Sequence, residues 1–230
     1  MTFQLTKKFV LLCEGQADQI FFEKLFERRK IKNIDIPPHV ELGKYYGWAG
    51  LGRMLKALSG DPQGYARLKG VLIVADSGTT ITSTFKNICR KLKEDGPFGT
   101  PSTFVKPQGP YRITEQQDSH PPISIMLIPD GRPGALETLC VESIFSRKAW
   151  LKICVENYLA CGQIDALNWR AEKRDKAYMQ CIIAALYEKD PNKGLRYLFS
   201  VKPPIINFSS KCFTPLIKQI ERFCDEAENI

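Results

Sequence analysis

Lys7-Lys8-Phe9-Val10-Leu11-Leu12-Cys13-Glu14-Gly15 begins with two lysines, runs through five apolar residues and stops at an acid and a glycine. An unbroken apolar run of this length suits a strand buried on both faces, as in a parallel sheet. From Ala17 to Arg29 the period changes, and Ile20, Phe21, Leu25 and Phe26 fall on one face of a helix. Two later stretches repeat this order. Gly70-Val71-Leu72-Ile73-Val74-Ala75 ends at Asp76-Ser77-Gly78, and a helical stretch follows from Thr80 to Lys93, closed by Asp95-Gly96-Pro97. Ile123 to Ile128 ends at Pro129-Asp130-Gly131, and a helix opens near Gly134 to Glu137. Strands alternating with helices imply right-handed crossovers and a parallel sheet.

Outward from these three units the signals weaken. A second strand is predicted over His39 to Leu42 and a short helix over Leu51 to Leu58, ended by Ser59-Gly60. The Pro-, Gly- and Ser-rich stretch 96–122 predicts a short strand around Thr103 to Val105 and a long loop near Gln116 to Pro122. Helical spacing returns over Lys148 to Ala160, Ala171 to Tyr187 and Pro215 to Ala227. The expected fold class is therefore α/β, a mostly parallel central sheet flanked by helices. Residues 1–145 form its core and residues 146–230 a helical part packed on the same domain.

A chain of 230 residues buries one sizeable core, and 43% hydrophobic with 25% charged residues excludes a disordered or fibrous protein. No apolar run approaches the roughly 20 residues that span a bilayer, and Met1 to Lys8 lacks the apolar stretch of a signal peptide. A cytoplasmic chain is expected. Eight cysteines without a C-x-x-C pair, most of them in apolar or helical surroundings, read as reduced thiols rather than a disulfide framework. A net charge of +8 and a pI of about 9.0 favour a polyanionic partner, of which nucleic acid is the commonest.

The three strongest strands each run directly into an acid: Glu14, Asp76 and Asp130. Asp18 and Glu137 follow where helices begin. Ligands of parallel sheets bind beyond the carboxyl ends of the strands, so parallel neighbours would bring all five acids to one rim. Carboxylates gathered there repel each other and raise their own pKa values unless a cation sits among them. Oxygen-only ligands suit Mg²⁺ or Mn²⁺. Each acid taken alone has an ordinary alternative: the helix dipole satisfies Asp18, and Pro129-Asp130-Gly131 is also a turn signal.

Leu11-Leu12-Cys13-Glu14-Gly15-Gln16-Ala17-Asp18, with Phe21-Phe22 after it, resembles the hydrophobic-E-G-x-x-D opening of TOPRIM domains, whose Rossmann-like sheet is found in primases, topoisomerases and OLD-family nucleases. Val71 to Gly78 resembles the later strand that carries an Asp-x-Asp motif, and Gly134-Ala135-Leu136-Glu137 resembles an element of the OLD-like branch. The C-terminal helical stretch, with Lys173, Lys176 and Pro204 to Phe213, looks like an uncharacterised prokaryotic family related to that branch. The resemblance implies metal-dependent hydrolysis of phosphodiesters in DNA or RNA, in defence against phage or in nucleic-acid processing. Glu14, Asp18, Asp76, Asp130 and Glu137 would hold Mg²⁺ or Mn²⁺. Glu14, Asp76, Lys173 and Lys176 would be the catalytic groups, although the charge run Glu172-Lys173-Arg174-Asp175-Lys176 more often marks a solvated helix face. One departure stands out: Asp76-Ser77-Gly78 lacks the second aspartate. It makes room for an alternative, a degenerate module that binds nucleic acid or a protein partner without cutting. A small-molecule phosphotransferase is a third reading.

Two further stretches have two readings each. Gly43-Lys44-Tyr45-Tyr46-Gly47-Trp48 suits base stacking or an ordinary packed loop, and Arg28-Arg29-Lys30 with Lys32 suits phosphates or a polar helix end. The glycines Gly47, Gly50 and Gly52 do not have dinucleotide-binding spacing, and no G-x-x-x-x-G-K-[ST] loop occurs.

Overall fold

A computed structural model of the chain describes residues 3–39, 42, 46–98, 104–116, 120–162, 168–187, 190, 192–202 and 204–230. Its centre is a four-stranded, all-parallel sheet of β1 (Phe9–Cys13), β2 (Ile34–Asp35), β3 (Gly70–Asp76) and β4 (Ile123–Ile128), in the order β2-β1-β3-β4. The register sets Cys13 opposite Val74 and Asp76 opposite Ile128, so the three long strands end together at one rim.

Alternate residues enter opposite cores, as the pleat requires. Phe9, Leu11, Cys13, Leu72, Val74, Met126 and Ile128 belong to one hydrophobic cluster. Val10, Leu12, Val71, Ile73, Ala75, Ile125 and Leu127 belong to the other. The first cluster takes in α1 (Gln16–Arg29), α5 (Leu136–Phe145), α6 (Ala149–Cys161), α7 (Ala171–Leu186) and α8 (Thr214–Glu228). The second takes in α2 (Leu51–Leu58), Tyr65 of α3 (Pro62–Ala66) and α4 (Ile81–Asp95). Both faces of the sheet are thus covered, which is why its strands read as continuous apolar runs.

The C-terminal third adds no separate core. Leu151, Met179, Phe199, Phe213 and Phe223 all lie in the cluster that holds Phe9 and Phe21. The Phe21 ring sits 5.3 Å from Phe213, 5.6 Å from Phe208 and 5.7 Å from Phe199. At Gly70 an added Cβ would come within 2.7 Å of the Phe223 ring, so glycine admits α8 close to the sheet.

The predicted strand over His39 to Leu42 is not where the second strand forms. Residues 40 and 41 lie outside the described set, and His39 and Leu42 are in no strand. β2 instead takes Ile34–Asp35. The Asp35 carboxylate accepts from the Thr6 and Lys7 backbone N–H groups at 2.6 and 2.8 Å, and Pro37-Pro38, lacking N–H groups, ends the pairing. The strand expected near Thr103 to Val105 differs too: Phe104 and Val105 are irregular, and Thr103 lies outside the described residues. The edge of β4 is covered by a later stretch, where the backbone N–H groups of Tyr111 and Thr114 donate to the carbonyls of Ile125 and Ile123. Among the described residues no helix is long and apolar enough to cross a membrane, and all eight cysteines are free thiols.

Candidate metal centre at the carboxyl rim

Glu14 leaves β1 one residue beyond the paired register and turns toward the neighbouring strand. Its Oε1 accepts from the backbone N–H of Asp76 at 3.0 Å, while its carbonyl accepts from Gly47 N–H at 2.7 Å. Asp76, the last residue of β3, accepts through Oδ1 from the Leu136 N–H at 2.8 Å. That N–H belongs to the first turn of α5, whose next residue is Glu137. Asp18 stands in the first turn of α1. Two helices therefore begin at this rim, and their unpaired N–H groups and dipoles favour negative charge.

These acids sense one another. Burial raises the Glu14 carboxyl to about 7, with Asp18 adding to the rise. Burial likewise raises Asp18 to about 6, with Glu137 contributing. Asp76 is raised well above the ordinary range by burial, then by Asp18, Glu14 and Glu137. Glu137 is raised by burial, with Glu172 and Asp175 adding. Lys176 of α7 faces this group. Burial would lower its pKa, but its hydrogen bond to Glu172 and the charges of Glu137 and Asp76 leave it raised. Its Nζ lies 2.6 Å from Glu172 Oε1. One ammonium cannot balance these acids if all of them ionise, and burial with mutual repulsion accordingly favours protons on Glu14 and Asp76.

Four of the five predicted metal acids, Glu14, Asp18, Asp76 and Glu137, thus lie near enough to act on one another's charge, with Lys176 beside them. The donor chemistry, carboxylate oxygens only and partly buried, fits a hard divalent cation. Among the described residues, however, no three His, Cys, Asp or Glu side chains are grouped closely enough to ligate one ion. The acids converge without forming a closed cage. Asp130 follows β4 but makes its contacts elsewhere. It accepts from Gln219 at 3.5 Å, lies beside the Tyr111 hydroxyl, and lines a cavity of about 260 Å³ between β4, α5 and α8. Lys173 lies 4.2 Å over the Trp169 ring.

Gly78 stands where the resemblance implies a second aspartate. Its φ of +61° is left-handed, and its N–H and C=O both pair with Gly134, at 2.9 Å in each direction. Of the stretches with two readings, Arg28 and Arg29 are engaged structurally: Arg28 donates to Ser209, and Arg29 to the carbonyls of Phe208 and Ser210. Residues 43–45 of the aromatic loop lie outside the described set, and Tyr46 stacks on His39 with ring centroids 5.3 Å apart. Sequence reasoning missed Glu172 and Asp175. Glu172 is signalled by its i,i+4 spacing to Lys176. Asp175 accepts from Thr138 Oγ1 at 2.5 Å, tying α7 to the start of α5, and no local pattern announces that contact.

Compared with known proteins, residues 8–225 match the model of a family described as "Protein of unknown function (DUF3226)". No curated protein and no solved structure matches the chain.

Proposed function

The chain belongs to the family DUF3226, whose description assigns no activity, and from the site alone we propose that it is a metal-dependent phosphodiesterase of the TOPRIM type acting on nucleic acid. The observation that carries this reading is the placement of Glu14 and Asp76 at the ends of β1 and β3, and of Asp18 and Glu137 in the first turns of α1 and α5, along the carboxyl rim of a parallel sheet. These residues would hold Mg²⁺ or Mn²⁺. Such an ion, when bound, activates water and offsets charge on the phosphate oxygens. The protein's own groups do the rest. The Glu14 hydrogen bond to Asp76 N–H and the Asp76 hydrogen bond to Leu136 N–H fix two carboxylates against rotation. Lys176 supplies a cation beside them to meet the charge that builds on a transferring phosphoryl group. The net charge of +8 favours a polyanionic substrate.

The test is cleavage of supercoiled plasmid and labelled single strands with Mg²⁺ or Mn²⁺, comparing wild type with Glu14→Ala. Cutting that needs the metal and falls at least about a hundredfold in the variant is the expected result. A second reading rests on Gly78 and Lys176. The position of the second acid is a left-handed turn glycine, and an ammonium already stands where a cation is needed. On that reading the module binds nucleic acid without cutting it. Binding in a gel-shift assay with no cleavage by either protein would select it.

A further inference from the structure

Beside Glu14 the rim carries side chains that the carboxylate chemistry does not use. Leu195–Phe199 form a 3₁₀ turn packed against α1, with Leu195, Leu198 and Phe199 buried and Arg196 exposed. The Arg196 guanidinium donates through Nη1 to Oε1 of Gln16, two residues beyond Glu14. Through Nη2 it donates to the Tyr197 hydroxyl at 3.0 Å. Its Cζ stands 4.9 Å from the centroid of the Tyr197 ring, and Lys193 Nζ stands 5.2 Å from the same ring. The Tyr187 ring lies 6.4 Å from Tyr197. Among the described residues no carboxylate forms an ion pair with Arg196, whereas Lys193 is paired with Asp190 at 3.0 Å. On α7, Lys173 over Trp169 makes a further cation–ring pair, one turn before Lys176.

Rings and guanidinium planes interleaved with ammonium groups are the chemistry of a platform for unpaired bases. Aromatic and guanidinium faces stack any base, while cations meet the phosphates. A duplex keeps its base faces inside its own stack, so it gains only the phosphate contacts and none of the stacking. The hydrogen bond from Arg196 to Gln16 joins this platform directly to the turn that carries Glu14.

We propose that the Arg196–Tyr197 turn binds single-stranded nucleic acid, DNA or RNA, and leads its backbone to the carboxylates. The inference rests on the phosphodiesterase reading only for what happens once the strand arrives. Fluorescence anisotropy in EDTA, with labelled oligo(dT), oligo(U) and a mixed-sequence duplex, measures binding apart from cleavage. The full chain binds single strands more tightly than duplex. Arg196→Glu and Tyr197→Ala each weaken single-strand binding about tenfold, and Tyr197→Phe keeps it. Arg196→Glu alters an exposed side chain, so it reports on binding even if Tyr197→Ala unfolds. Equal affinity for duplex and single strand, or no effect of Arg196→Glu, overturns the proposal. So does equally Arg196-dependent capture of poly-glutamate, which would show charge alone at work. Failure of the two readings is distinguishable. Single-strand binding without metal-dependent cutting removes the phosphodiesterase and leaves the platform. Cutting that Arg196→Glu does not slow removes the platform and leaves the phosphodiesterase.

Discussion

Glu14 and Asp18 hold their protons far longer in the folded chain than in the unfolded one. Burial is the first cause in each case, and the neighbouring acid adds to it. A folded pKa above the unfolded value means that the native state binds more protons. This contribution to stability is complete below about pH 4, where both states are protonated. It is lost as pH rises through about 6 for Asp18 and about 7 for Glu14. In EDTA the wild-type chain should therefore melt lower at pH 8 than at pH 5. Glu14→Gln, neutral at every pH, should remove part of that slope, a difference on the order of 2 kcal/mol between the two pH values. Thermal melts of both proteins across pH 5–8 measure it, and parallel curves would show that Glu14 ionises freely.

At the scale of elements, contacts between helices on the side of the sheet away from α1 leave little slack. An added Cβ at Gly52 of α2 would lie 2.4 Å from the Lys91 carbonyl oxygen of α4, and backbone does not yield as a side-chain tip does. Gly52→Ala should cost about 1–3 kcal/mol in a denaturant titration, despite alanine's better helix propensity. A stabilised variant would mean that the two helices lie farther apart. The long elements were legible in the sequence because their signals are local. The limits of β4 and α2 fall where apolar period and turn residues put them, and α4 differs from its expected span by a residue or two at its ends. β2 was not legible, because only two residues pair and their anchor is the Asp35 carboxylate reaching back to Thr6 and Lys7. The edge cover at Tyr111 and Thr114 is hidden for the same reason, since neither residue lies in a strand pattern. In the candidate site, Glu14, Asp76, Asp18 and Glu137 follow from strand ends and helix starts. The course taken by Asp130 depends on Tyr111 and Gln219, which are distant in sequence.

For the whole molecule, the decisive fact is that α5 to α8 and the phenylalanines around Phe21 share one core with the sheet. Far-UV circular dichroism and tryptophan fluorescence should therefore report one coincident unfolding transition, since Trp48 lies near the second core and Trp150 and Trp169 lie in the C-terminal third. A chain cut after Phe145 should fail to fold, and two separated transitions would show instead that the C-terminal third is a unit of its own. The bridge between Gly78 and Gly134 adds a consequence at this scale. It joins the turn after Asp76 to the turn before Glu137 through peptide groups alone. The spacing of those two turns is thus a main-chain dimension. Substitutions around the rim therefore change the charge between the two turns and leave the main-chain pairing that spaces them in place.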